Sequence, residues 1–175
     1  MISCFPDNTV LCNFASVSRL DILENVLSGR GRWTEAVAYE AKRSSRYLPA
    51  LDLPDVSRWL GEPIEVDDPE AVERIRQGVF FGSPSDPLKH LGESETLHVI
   101  STRVEFKEAT WISDDKASLD LARHRGIPTM CTKDVMAVAC VGFIVSKQEG
   151  FALLQQMVTN GQSIRLPATA DELMR

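Results

Sequence analysis

The chain has 175 residues, 19 Lys and Arg against 25 Asp and Glu, a formal net charge of −6 and 43% hydrophobic residues. That is the make-up of one globular domain with a core of useful size, over 1–165 with a tail at 166–175, and it excludes collagen-like, low-complexity and largely disordered chains. The acidic balance argues against a protein that coats nucleic acid nonspecifically, although a local basic patch can still hold a strand.

In chain order, the β-favouring run 2–5 ends in Pro6-Asp7-Asn8, which suits a first strand with Asp7 at its carboxyl end. Val10, Leu11, Phe14, Val17, Leu20, Leu23, Val26 and Leu27 then recur at helical spacing up to Gly29, predicting one or two helices. After the basic turn Arg30-Gly31-Arg32, Thr34 stands as N-cap of a helix over 35–43 that carries Glu40. Pro49, Pro54 and Pro63 make 48–68 a connector with a strand at 64–66, and Pro69 opens a helix over 70–77. A breaker-rich loop at 82–87 leads to a helix over 88–102, with Leu97, Ile100 and Val104 on one stripe and Glu93 and Glu95 in its first turns. The segment 110–113 reads as a buried strand running into Asp114-Asp115, followed by a helix over 116–125 and its stop at Gly126. A short strand over 127–132 and a helix over 134–160 complete the pattern. Strands alternating with helices predict an α/β fold, a mostly parallel sheet with helices on both faces.

No apolar run approaches the roughly 20 residues that cross a bilayer, and no leader pattern opens the chain. The cysteines at 4, 12, 131 and 140 form no C-x-x-C pair, so they read as buried thiols of a cytoplasmic protein. His90, His98 and His124 are too scattered for a metal site, and the phosphate-binding glycine motifs are absent.

Ligands of parallel sheets bind where strand carboxyl ends converge. Asp7 and Asp114-Asp115 stand at two such ends, and Glu40, Glu93 and Glu95 lie on helices that can pack beside that edge. Clustered carboxylates repel one another unless a cation neutralises them, so their convergence calls for a hard divalent ion, Mg²⁺ or Mn²⁺, and for metal-assisted phosphodiester hydrolysis. Each acid also has an ordinary alternative: Asp7 as a turn residue, Asp114 or Asp115 as a helix cap, and the glutamates as solvated or helix-dipole charges.

The segments Asp7-Asn8-Thr9-Val10-Leu11-Cys12-Asn13, Thr34-Glu35-Ala36-Val37-Ala38-Tyr39-Glu40, Leu91-Gly92-Glu93-Ser94-Glu95-Thr96 and Ile112-Ser113-Asp114-Asp115 resemble, in order and spacing, the PIN-domain family. They are most similar to its branch with a Gly-Glu-x-Glu motif, related to VapC-type toxins. The resemblance implies a Rossmann-like three-layer α/β/α domain that holds one or two Mg²⁺ or Mn²⁺ ions and cuts RNA. It makes Asp7 the first family acid, Glu40 the second, Glu95 the third and Asp114 or Asp115 the last. Glu93 stays beside Glu95 as a metal ligand, because it is four residues before Leu97 and shares its stripe. Asn13 supports the cluster by hydrogen bonding to a carboxylate or caps its own helix turn.

Arg30, Arg32, Lys42 and Arg43, with Arg46 and the pair Arg123 and Arg125, are the basic groups that can guide an RNA backbone, and Trp33 is the first candidate to stack a base. As partners the resemblance implies an RNA substrate and, for the toxin of a toxin–antitoxin pair, an antitoxin. The apolar residues of 135–143 and 151–157 allow that contact or a homodimer, and equally a buried last helix. Two other readings stay open: a PIN-like domain without catalysis that binds RNA or assembles, and a phosphoacceptor module using Thr132-Lys133. Cys131 and Thr132 at a strand end have no His–carboxylate pair placed to activate them as nucleophiles.

Overall fold

The computed structural model describes residues 2–174. Its described residues form a parallel sheet of order β1-β2-β3, with β1 at Cys4–Pro6, β2 at Thr110–Ile112 and β3 at Thr129–Met130. Cys4 lies opposite Thr110, Phe5 opposite Trp111, and Trp111 opposite Thr129. The chain is therefore α/β, and its strands are short, β1 and most of β2 buried and β3 half-buried.

Because successive side chains on a strand point to opposite faces, this register sorts the core into two halves. Cys4 and Ile112 join one cluster with Leu11, Phe14, Leu23 and Met136, whereas Phe5 and Trp111 join another with Leu97, Ile100 and Ala122. Both faces of the sheet are covered. The first cluster draws on α1 (Asn8–Ser16), α2 (Leu20–Leu27), α3 (Glu35–Ser44) and α4 (Leu53–Leu60). After α5 (Pro69–Gly78), α6 (Leu91–Thr102) and α7 (Lys116–His124) supply the second. The last two helices, α8 (Thr132–Val141) and α9 (Lys147–Thr159), return to the first cluster.

Several expectations are corrected. The proline-containing connector holds α4, since Pro54 falls at the helix start where its missing N–H is no loss. The strand expected at 64–66 is a single bridge between Ile64 and Thr34, because the chain meets the start of α3 there for one residue pair only. Val104 leaves the expected stripe: α6 stops at Thr102 and Val104 is 72% exposed. The expected strand over 127–132 keeps two residues, and Thr132 opens α8. The helix expected over 134–160 is two helices, broken after Val141, where Phe143 adopts φ 56° and the Ser146 hydroxyl accepts from Glu149 N–H at 3.1 Å to start α9. The reversal brings Gly150 so close to Cys140 that a Cβ there would stand 2.8 Å from Sγ.

Val135, Met136, Leu154 and Met157 are core, while Val138, Val141 and Phe143 are exposed. The residues read as a tail pack back through a 3-10 turn at Ala170–Met174 against α8 and α9, with Leu173 1% exposed. Three cysteines are buried, Cys131 is half-buried, and all four are free thiols. No described helix is long and apolar enough to cross a membrane.

Leu173→Ala should destabilise the protein by about 2–5 kcal/mol, the range for a buried leucine that leaves a cavity. Urea unfolding monitored by circular dichroism measures this, and a change within about 0.5 kcal/mol would show that the chain end is no part of the core.

Candidate functional site

All three strands deliver polar residues to one edge of the sheet. Asp7 extends the ladder beyond β1, its N–H donating to Ile112 O at 2.9 Å. Its side chain then caps α1, Oδ1 accepting from Val10 N–H at 2.8 Å while Oδ2 accepts from the Ser113 hydroxyl. Ser113 follows β2 directly, so the parallel register is what brings its hydroxyl to Asp7. Only 7% of Asp7 is exposed.

Asp114 comes next, past the central strand. Its carboxylate accepts from Thr132 N–H at 3.1 Å, from the Thr132 hydroxyl and from the Asn13 side-chain amide at 2.8 Å. The same amide donates to Thr132 Oγ1 at 2.9 Å, so α1, the end of β2 and the start of α8 are tied at one point. Asn13 is fully buried, and its Oδ1 has no partner among the described residues. Asp115 points elsewhere: it caps α7, Oδ1 accepting from Ser118 N–H at 2.7 Å.

The glutamates arrive from α3 and α6, which pack side by side. Glu40 lies against Gly92, where a Cβ would stand 3.2 Å from Glu40 Oε1 and 3.3 Å from Oε2; a glycine in the first turn of α6 is what admits the carboxylate. Glu93 contacts His90 Nδ1 at 3.6 Å, and its charge is felt by both Asp7 and Glu40. Glu95 faces the start of α3, where Oε2 accepts from Ala36 N–H at 2.9 Å and fills the capping role that the Thr34 side chain does not take.

Asp7, Glu40 and Asp114, with Glu93 beside them, thus share one electrostatic neighbourhood. Burial, reinforced by the charges of Asp114 and Glu93, pushes Asp7 up to about 7 against its hydrogen bonds from Ser113 and Val10. Burial and then Glu93 and Asp7 push Glu40 up to about 8. Asp114 is raised by burial despite its three donors, and Glu95 is raised by burial against the Ala36 N–H. Among the described residues no Lys or Arg nitrogen lies within 4 Å of any of these four carboxylates.

Oxygen donors with surplus negative charge suit Mg²⁺ or Mn²⁺ in kind. In the arrangement seen, no three His, Cys, Asp or Glu side chains of the described residues stand close enough to hold an ion together. The fit is to an ion that keeps most of its waters and takes one or two carboxylates directly, as Mg²⁺ commonly does.

The basic candidates separate. Arg30 is spent on the end of α2, donating to Leu27 O at 2.9 Å and Val26 O at 2.8 Å, and Arg32 donates to Gly29 O and Gly31 O. Gly31 bridges Cys4, the opposite end of β1 from Asp7, so neither arginine joins the acids. Lys42 and Arg43 are exposed on α3, and a cleft of about 300 Å³ lined by Asn8, Glu40, Arg43, Arg46 and Tyr47 opens beside them. Trp33 is corrected as a stacking candidate: it is 1% exposed and its indole N–H donates to Gly61 O at 2.8 Å. Tyr39 and Tyr47, 50% and 71% exposed, are rings that flank the basic run in sequence. Cys131, pushed by burial up to about 11, is a protonated thiol near neutrality, and Thr132 serves Asp114.

Comparison with family models, with curated proteins and with solved structures gives no match for this chain.

Carboxyls near pH 4 in the unfolded chain and near 7 and 8 when folded make the folded state bind more protons in between, so the stability they contribute is present below about pH 4 and lost as pH rises through 7 and 8. Asp7→Asn, which keeps a cap acceptor, should remove its share of that loss. Between pH 5.5 and 8.5 the wild type should lose about 2 kcal/mol relative to the variant in urea unfolding; parallel pH profiles would show that Asp7 ionises like an ordinary carboxyl.

Proposed function

We propose that the protein is a metal-dependent endoribonuclease of PIN type. The observation that carries this reading is a set of buried and half-buried carboxylates at the carboxyl edge of a parallel sheet, with hydrogen bonds holding Asp7 and Asp114 and no cationic partner among the described residues. A fold needing acids only as helix caps would leave them exposed, as it does Asp115. The parallel sheet covered on both faces supports the Rossmann-like α/β/α layering that the family resemblance implies.

Asp7 and Asp114 would hold the ion, Asp7 steadied by Ser113 and Val10 and Asp114 by Asn13 and Thr132; each carboxylate retains lone pairs beyond those bonds. Glu40 and Glu93 would order its water shell. A divalent ion bound there would supply charge neutralisation and would make water a better nucleophile for phosphodiester hydrolysis. Burial and the charges of Glu93 and Asp7 push Glu40 up, and a bound divalent ion would offset that repulsion. Arg43 and Arg46 line the adjoining cleft and would take the RNA phosphates. In the toxin setting that the resemblance implies, an antitoxin would mask this cleft.

A second reading is a PIN-like module that binds RNA without cutting it. The three donors that Asp114 already accepts from and the lack of three convergent ligands among the described residues favour it.

On a mixed RNA pool, Mn²⁺ should support cleavage and EDTA abolish it, and Asp7→Asn and Asp114→Asn should each lower the rate at least about 100-fold. Cleavage that persists in EDTA sinks the proposal. RNA retained uncut in Mn²⁺ selects the second reading.

A further inference from the structure

A second cleft, of about 270 Å³, opens between α3 and the start of α6. Tyr39, Leu88 and Leu91 make most of its wall apolar, and the carboxylates of Glu35 and Glu95 stand at it. Glu40 and Arg43 line both this cleft and the polar one, so the two meet along one ridge of α3. The volume lies just under the roughly 300–1,000 Å³ of clefts that enclose whole drug-sized ligands, which suits a single planar group. A phosphate is excluded by apolar walls and negative charge, and Arg43 at the junction provides for it instead.

We propose that this cleft is a base-reading subsite of the ribonuclease site, taking a guanine turned out of the RNA chain, with Tyr39 against the ring and Glu35 accepting from its N1–H and N2 amino group. The inference rests on the nuclease reading above. Glu95 has already committed Oε2 to the Ala36 N–H, whereas Glu35 is exposed in the first turn of α3 and makes no ion pair among the described residues. A carboxylate accepts two parallel donors as readily as it accepts an arginine fork. Guanine alone offers such a pair on adjacent edge atoms; adenine and cytosine offer one amino group, uracil one N–H. Uracil and cytosine also turn carbonyl oxygens toward the carboxylates, which adds repulsion to the lost bond. Stacking on Tyr39 favours every base, so the choice among bases falls to Glu35.

The test is titration of the full chain with 5′-GMP, 5′-IMP, AMP, CMP and UMP in EDTA, followed by amide chemical shifts. GMP should bind at least about fivefold tighter than IMP, which lacks the N2 amino group, and should shift Ala36, Tyr39 and Leu91 most. Glu35→Gln should bring GMP and IMP to equal affinity, and Tyr39→Ala should weaken both; both positions are exposed, and an unchanged circular dichroism spectrum controls for folding. Equal affinities in the wild type, no binding, or shifts elsewhere overturn the proposal. RNA cleavage without a guanine preference would remove the subsite and leave the nuclease reading, whereas GMP binding without Mn²⁺-dependent cleavage would do the reverse.

Discussion

Like-charge repulsion under burial is the constraint from which the rest of this structure follows. Asp7 and Glu40 sit where their charged forms are disfavoured, and the charge of Glu93 makes both worse. A fold tolerates such a group only if the surrounding structure over-determines its position. Here it does so by hydrogen bonds from three directions: the first turn of α1 and the Ser113 hydroxyl hold Asp7, while Asn13 and Thr132 hold Asp114.

Those supports come from elements distant in sequence, which is why the core has to be rigid behind them. Asn13 reaches Asp114 across 101 positions, and Ser113 reaches Asp7 across 106. Each distance is set by the β1–β2 register and by α1 and α8 packing in the same hydrophobic cluster. A slip of one residue in that register would put Phe5 and Trp111 on opposite faces and carry Ser113 away from Asp7 at the same time. Core packing and the polar edge are therefore set by one alignment.

The pairing of α3 with α6 sets the other half. Gly92 lets the Glu40 carboxylate lie on the start of α6, and Glu95 closes the start of α3 in return. That reciprocal contact leaves Glu93 facing the acids and opens clefts on both sides of the Glu40–Arg43 ridge.

The local features were legible in the chain. Alternating apolar runs and polar breaks predicted an α/β sheet, Pro69 and Gly126 marked real helix ends, and the acids at 7 and 114 fell at strand ends, because periodicity, capping and turn chemistry act over a few residues. Where the sequence reading failed, a long-range partner decided. Trp33 looked like a surface ring until Gly61 accepted its N–H, and Arg30 looked like an RNA contact until it closed α2. Residues 134–160 read as one helix until Gly150 was required beside Cys140. Asp114 and Asp115 differ in their surroundings because Thr132 and Asn13 meet one and Ser118 the other, and Glu93 and Glu95 differ because of the approach of α3. The sequence by itself determined which residues carry charge and that short strands alternate with helices. Only the tertiary structure decided which of those charges are brought together and buried, because burial and repulsion depend on distances between segments that no local pattern encodes.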